Sequence, residues 1–284
     1  MRYSKGIAVG TDGSTTALEA VRWAAHTAAI HQTHLDLIYA IDAVSPPLIE
    51  YAVPEVYFDG ARQVAQTVLQ DSKAVALEAE PDLEVHTHII RDSARGALLG
   101  RSRHTSLLVV GNSGSGRVSS ALVGSVTGAL ATHASCPLAV IRGPEWDRPP
   151  SGVVTVGVDG SASAQVALDW AAHEAAERAA QLDVVAAWDS SGFDGPDNAF
   201  ADAYAQIENH LADDVDRLAR RLPRVRVTTQ VVDDDPVSAL AKAAQSSDLL
   251  VVGSRGRGGF TGLLLGSTSQ GLLYATHRPL VIVR

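Results

Sequence analysis

The closing residues LLVVGSRGRGGFTGLLLGSTSQGLLYATHRPLVIVR (Leu249–Arg284) read as a strand, a glycine-rich loop, a helix and a second strand. Six of the fifteen residues from Gly253 to Ser267 are glycine. Glycine loses more conformational freedom on folding than any other residue, so this density calls for a geometric reason. A flexible linker is one candidate, and a backbone cradle for phosphate is another.

The same pattern occurs earlier, as LLVVGNSGSGRVSSALVGSVTGALATHASCPLAVIR (Leu107–Arg142). The starts of the two halves repeat as well. Ile7–Asp42 and Val154–Asp189 align without a gap and share VG-DGS, WAAH, a later LD and a closing aspartate. The offsets are 147 residues for the first pair of blocks and 142 for the last, so insertions separate them. One domain has been duplicated. At roughly 150 residues per domain, the 284 residues accommodate two. The expected division is 1–143, a linker over 144–152, and 153–284; the join GPEWDRPPSG (Gly143–Gly152) has the Pro/Gly content of a linker.

Within each half, short apolar runs alternate with longer amphipathic stretches. GIAVG (Gly6–Gly10) reads as a buried strand. Ala17, Ala20, Val21, Ala24, Ala25 and Ala28 then recur at helical spacing. LDLIYA (Leu35–Ala40) is the second strand, and helices follow over Tyr57–Ala79 and Tyr204–Leu222. VHTHII and VRVTTQVV are third strands; ARGALLGRS and PVSALAKAA are third helices, the latter with Asp235 as cap and Pro236 in the first turn. This alternation predicts an α/β fold: two tandem, open, parallel five-stranded sheets with helices on both faces. PLAVIR and PLVIVR are too apolar for free sheet edges, so they are expected to pair antiparallel and make the chain an internal pseudo-dimer, with Val140 near Ile282.

Composition narrows the function. The chain is 46% hydrophobic and 19% charged, has no apolar run of membrane-spanning length, and carries a formal net charge of −9. Only Lys5, Lys73 and Lys242 are lysines, and no basic stripe is present, which argues against a nucleic-acid binder. MRYSKGIAVG lacks the apolar region of a secretory signal, and Cys136, the sole cysteine, reads as a small core residue; a reducing, cytoplasmic setting is expected.

In open α/β sheets, ligands bind beyond the carboxyl ends of the strands at a topological switch point. Both the DGS turn and the glycine loop fall at such ends. The loop keeps the spacing G-x2-G-x9-G-S, with Gly111, Gly114, Gly124 and Ser125 in one half and Gly253, Gly256, Gly266 and Ser267 in the other. The first glycines would let backbone N–H groups approach an anion, and Gly-Ser would open a helix whose dipole favours negative charge. Neither the P-loop motif nor G-x-G-x-x-G is present.

Together, VG-DGS, the VVG strand and this long glycine motif resemble the universal stress protein family in its tandem, ATP-binding form, over nearly the whole chain. The resemblance implies ATP, with Mg²⁺ carried on its phosphates, bound once per domain in a stress-response regulatory protein. It also implies a homodimer, a protein partner, and slow ATP conversion where any occurs. Asp12 and Asp159 would lie near adenine and ribose, with Gly10 and Gly157 before them, and the backbone at Ala40 and Ala187 would meet adenine. Gly111, Asn112, Ser113, Gly114, Ser115, Gly116 and Arg117 would wrap ribose and phosphates in the first half. Gly253, Ser254, Arg255, Gly256, Arg257, Gly258 and Gly259 would do so in the second. Gly124, Ser125 and Val126, and Gly266, Ser267 and Thr268, would complete the phosphate sites. Arg255 and Arg257 stand where the first loop has Ser113 and Ser115, so the second site is expected to hold triphosphate more tightly.

Other residues invite sharper readings. Asp12 and Asp159 also suit caps of the first helix. His26 and His173, three residues after Trp23 and Trp170, read as packing residues, since no nucleophile shares their helix face. His86 and His88 lie two apart on one strand face, but no third metal ligand is visible in the sequence. Asp233–Asp235 reads as a turn with a capping aspartate. No catalytic constellation emerges. A regulatory ATP-binding module, a slow ATPase, and a scaffold with structural nucleotide are the function classes left.

Overall fold

The computed structural model describes residues 3–42, 55–114, 123–143, 149–191, 197–257 and 265–284. The chain divides into two compact units, Arg2–Pro144 and Glu145–Arg284, the second also taking in Met1. The first runs β1 (Ile7–Gly10), α1 (Thr15–Ile30), β2 (Leu35–Ile41), α2 (Glu55–Ala79), β3 (Val85–Arg91), α3 (Ala94–Arg101), β4 (Leu107–Gly111), α4 (Ser125–His133) and β5 (Leu138–Ile141). The second repeats it as β6 (Val153–Val158), α5 (Ala162–Glu177), β7 (Gln181–Ala187), α6 (Asp197–Arg221), β8 (Val227–Val232), α7 (Pro236–Ala244), β9 (Leu249–Gly253), α8 (Ser267–Ala275) and β10 (Leu280–Val283).

Each unit has a five-stranded parallel sheet. The order is β3-β2-β1-β4-β5 in the first and β8-β7-β6-β9-β10 in the second. The chain winds outward from β1 to β3, then crosses back to lay β4 on the other side of β1. Right-handed crossovers then place α1 and α2 on one face and α3 and α4 on the other. The contacts agree: α1 packs on α2, and α3 on α4. The reversal between β1 and β4, repeated between β6 and β9, opens a crevice at the carboxyl ends.

Burial explains the strands. Ile7, Ala8 and Val9 and their neighbours Leu107, Leu108 and Val109 are fully buried, as covered parallel strands require. The alanine stripe predicted for α1 is buried at every position. Its small side chains let the helix lie close on the sheet. Helix α6 begins at Asp197, a full two turns before the predicted start at Tyr204. Among the described residues, no helix is long and apolar enough to cross a membrane.

Candidate functional site

The crevice in each unit is a cleft. That of the first has a volume of about 290 Å³, that of the second about 390 Å³. Their walls come from equivalent positions. The strand-one ends Gly10 and Gly157, the aspartates Asp12 and Asp159, and the strand-two ends Ala40 and Ala187 line them. So do the glycine pairs Gly111/Gly114 and Gly253/Gly256, together with Gly124–Val126 and Gly266–Thr268. Ser113 lines the first cleft, and Arg255 and Arg257 the second. Ser115, Gly116, Arg117, Gly258 and Gly259 lie outside the described residues.

Asn112 and Ser254 depart from the expectation. Both are buried, and neither lines a cleft. Their amides donate to Ile141 O at 2.9 Å and Val283 O at 2.8 Å, and their carbonyls accept from Gly124 and Gly266 at 2.8 Å. They tie the end of strand four to its neighbour and fasten the start of helix four to it. Their backbone is committed to the fold.

The aspartates do not cap the first helix. Ser14 and Ser161 are the N-caps, accepting from the amides of Ala17 and Ala164. Asp12 and Asp159 instead each hold the turn, with Oδ1 accepting from the amide of Ser14 or Ser161 at 3.0 Å. Gly13 and Gly160 take φ of +78° and +75° in that turn, which is why glycine follows the aspartate. The second oxygen then reaches the glycine loop. Asp159 Oδ2 accepts from the amide of Arg257 at 2.8 Å.

The loop glycines have distinct reasons, and none is a positive φ: Gly111, Gly114, Gly253 and Gly256 all lie outside the left-handed region. A Cβ on Gly111 or Gly253 would stand within 2.9 Å of backbone atoms of Thr16 or Ser163, in the first turn of α1 or α5. A Cβ on Gly114 or Gly256 would stand 2.6 or 2.5 Å from the Oδ2 of Asp12 or Asp159. The first pair admits a helix; the second admits a carboxylate.

Helices α4 and α8 start differently from the other helices whose caps are described. The N-termini of α1, α3, α5 and α7 are closed by Ser14, Ser93, Ser161 and Asp235. Those of α4 and α8 begin at Gly124 and Gly266 with no side-chain cap. First-turn amides lack intrahelical acceptors, so these two helices present their N–H groups and positive dipole ends at the cleft. Thr127 and Ser269 side chains donate to the carbonyls of Gly111 and Gly253, at 2.9 and 2.6 Å, pinning the helix start to the strand end.

The opposite wall is apolar. Ile38, Leu98 and Val110 in the first cleft, and Val185, Leu240 and Val252 in the second, suit the face of a flat ring. Leu98 and Leu240 went unnoticed in the sequence. Their signal is the strand-one glycine, since a Cβ on Gly10 or Gly157 would stand 2.6 Å from Leu98 or Leu240 Cδ1.

The helix-one histidine His26 does not line the cleft. His26 Nδ1 lies 2.7 Å from Glu80 Oε1, at the far end of α2. Cys136 is buried.

The sequence profile of the Universal stress protein family matches residues 4–142 and 152–284. Universal stress protein Rv2623 of Mycobacterium tuberculosis H37Rv is 34% identical over 290 residues, covering 99% of this chain and 97% of its own. Universal stress protein Rv2005c of the same organism is 32% identical, covering 100% and 98%. The crystal structure of a universal stress protein from Archaeoglobus fulgidus superposes with a TM-score of 0.71, covering 99% and 98% at 17% identity, a likeness of fold. Matched in both halves, and alike to these relatives from end to end, the chain belongs to the universal stress protein family.

Proposed function

We propose that each unit binds one ATP, and that the protein acts as a nucleotide-occupied regulatory module of the stress response rather than as an efficient enzyme. The observation carrying this reading is the uncapped start of α4 and α8 at the cleft, where every other characterised helix start is closed by a side chain. Backbone N–H groups with a helix dipole behind them suit phosphate without lysine. The apolar wall would take adenine, and Asp12 or Asp159 would face the ribose hydroxyls. Mg²⁺ would ride on the phosphates, neutralising charge that the loop alone does not.

The test is direct. Protein denatured straight after purification, or titrated with ATP by calorimetry, should account for two nucleotides per chain. Absence of bound nucleotide together with no measurable ATP binding would end this reading.

Catalysis is expected to be poor. Among the described residues no His, Lys or Cys lines either cleft, and the one carboxylate described in each already accepts the turn amide. Purified protein should therefore hydrolyse ATP well below the ~1–10³ s⁻¹ of ordinary enzymes. Turnover faster than about 1 s⁻¹ would favour the ATPase alternative.

The two sites should differ in strength. Arg255 and Arg257 line only the second cleft, and Arg257 lies over Gly160, where a Cβ would meet its Nη2 at 2.0 Å. Arg255→Ser, which installs the first cleft's residue, should weaken ATP at the second site by about tenfold, the worth of one charge-assisted contact. Calorimetry on the variant should bring two unequal binding steps closer together. Unchanged steps would mean that Arg255 points its charge to solvent.

A further inference from the structure

The first unit carries a cluster, away from the cleft, that the nucleotide reading leaves unused. Asp36, the second residue of β2, is 1% exposed. Across the β2–β3 ladder it sits opposite His86, and Ile38 sits opposite His88. His34 precedes β2 on the same face. His86 Nδ1 lies 3.4 Å from Asp36 Oδ1, His34 Nε2 lies 3.5 Å from Oδ2, and His88 Nε2 lies 2.9 Å from Oδ1. The third ligand that His86 and His88 lack in the sequence is thus supplied by folding.

We propose that His34, Asp36 and His86 form a binding site for a zinc-class divalent metal ion, present in the first unit and absent from the second. Ligand atoms of these three residues lie within 4.8 Å of one another. The His34 and His86 approaches to the carboxylate are too long for good hydrogen bonds. Each is near the ligand–ligand spacing of about 3.3–3.6 Å expected when ligands stand about 2.0–2.2 Å from zinc, His86 against Oδ1 and His34 against Oδ2, so the carboxylate would meet the ion with both oxygens. Two imidazoles and a carboxylate are the ligand chemistry such ions favour over Mg²⁺ or Ca²⁺.

The surrounding groups are arranged as metal ligands usually are. His86 turns its other ring nitrogen to Glu84 Oε1 at 3.1 Å, which fixes the ring and would leave Nδ1 for the ion. Arg101 bonds to Asp36 Oδ2, and His88 to Oδ1, so the carboxylate plane is set. Burial would raise the Asp36 pKa, but the His88 hydrogen bond and the Arg101 charge outweigh it and hold it below the ordinary value. Gly6 leaves room for the His34 ring, whose Nε2 would lie 2.3 Å from a Cβ there. The His34 and His86 side chains are themselves 31% and 45% exposed, which leaves the site open to solvent.

The duplication supplies an internal control. Asp183 occupies the equivalent place on β7, opposite Thr228 of β8. His34, His86 and His88 correspond to Gln181, Thr228 and Gln230. There the carboxylate is satisfied by neutral donors, Thr228 Oγ1 at 3.0 Å and Gln230 Nε2 at 2.8 Å, with Gln181 bonded to Thr228 at 3.0 Å. A buried aspartate on this strand therefore needs no histidine to be stable. Three histidines around one copy and none around the other mark a difference in what the two copies hold.

The test uses the full chain, freed of metal by chelator and nucleotide-free, titrated with Co²⁺ and followed by visible absorption, then challenged with Zn²⁺. One Co²⁺ per chain with intense low-symmetry bands, displaced by Zn²⁺, is expected. The variant His34→Gln/His86→Thr/His88→Gln carries the second unit's own residues and should lose at least about 100-fold in affinity. If it misfolds, His34→Gln alone leaves the His88 and Arg101 contacts in place and should still lose about 10–100-fold. Equal Co²⁺ affinity in parent and folded variant, or parent spectra showing only hexa-aqua-like bands, would overturn the proposal. ATP plays no part in this titration, so its failure and that of the nucleotide reading are separable.

Discussion

Gly253→Val should strongly destabilise the second unit. Gly253 ends β9, a strand buried along its whole length. A Cβ there would stand 2.8 Å from both the carbonyl carbon and oxygen of Ser163, and 2.6 Å from its hydroxyl. The carbonyl carbon and oxygen are main-chain atoms in the first turn of α5, a helix held to the sheet by buried Ala164, Ala167, Leu168 and Ala171. Neither partner can swing aside as a side-chain tip would. The strand end is further tied through its carbonyl to Ser269. Overpacking a core typically costs about 1–3 kcal/mol, and a branched side chain against fixed backbone falls at or above the upper end. At about 2–4 °C per kcal/mol for a domain of this size, melting should fall by roughly 10 °C. Circular dichroism on heating checks it. A melting curve matching the parent would show that helix and strand can part here without cost.

This glycine and its neighbour three residues on look alike in sequence, and that similarity marks how far the sequence could be read. Continuous apolar runs mark inner strands such as β1, β4 and β9, because parallel strands covered on both faces are buried along their length, whereas β3 and β8 carry exposed positions and read only as mixed runs. The start of α6 escaped because Gly195, Pro196 and Asn198 read in the sequence as turn residues. Within the site, glycine spacing located the loop but not the division of labour inside it. Gly111 and Gly253 serve helix packing, Gly114 and Gly256 face a carboxylate, and Asn112 and Ser254 spend their backbone on the sheet. Those roles depend on which chain segment comes close in space. Asp36 shows the same limit: His86 and His88 were visible as a strand pair, yet their partners arrive from a strand fifty residues earlier.

Gly256→Val is expected to abolish nucleotide binding in the second unit while leaving its fold in place. The contrast with Gly253 lies in what the new side chain would touch. A Cβ at 256 would meet Asp159 Oδ2 at 2.5 Å, and the next atom of that carboxylate lies 3.7 Å away. Gly256 and Asp159 are both exposed, and the residue has no positive φ, so valine brings no backbone strain and no core overpacking. Asp159 can rotate away. In doing so it releases the amide of Arg257, which its Oδ2 now accepts at 2.8 Å, and vacates the place proposed for the ribose hydroxyls. Two charge-assisted hydrogen bonds at about 1.5–3 kcal/mol each amount to at least a hundredfold in affinity. The valine methyls also stand at the cleft wall where backbone is proposed to approach phosphate. Calorimetry should give one ATP per chain where the parent gives two, with melting close to the parent's. Gly114→Val, whose Cβ would meet Asp12 Oδ2 at 2.6 Å, should remove the other site and spare the second. Two equivalents bound at parental affinity by Gly256→Val would mean that this glycine accommodates Asp159 alone and that the phosphates, if held here, are held by the α8 amides.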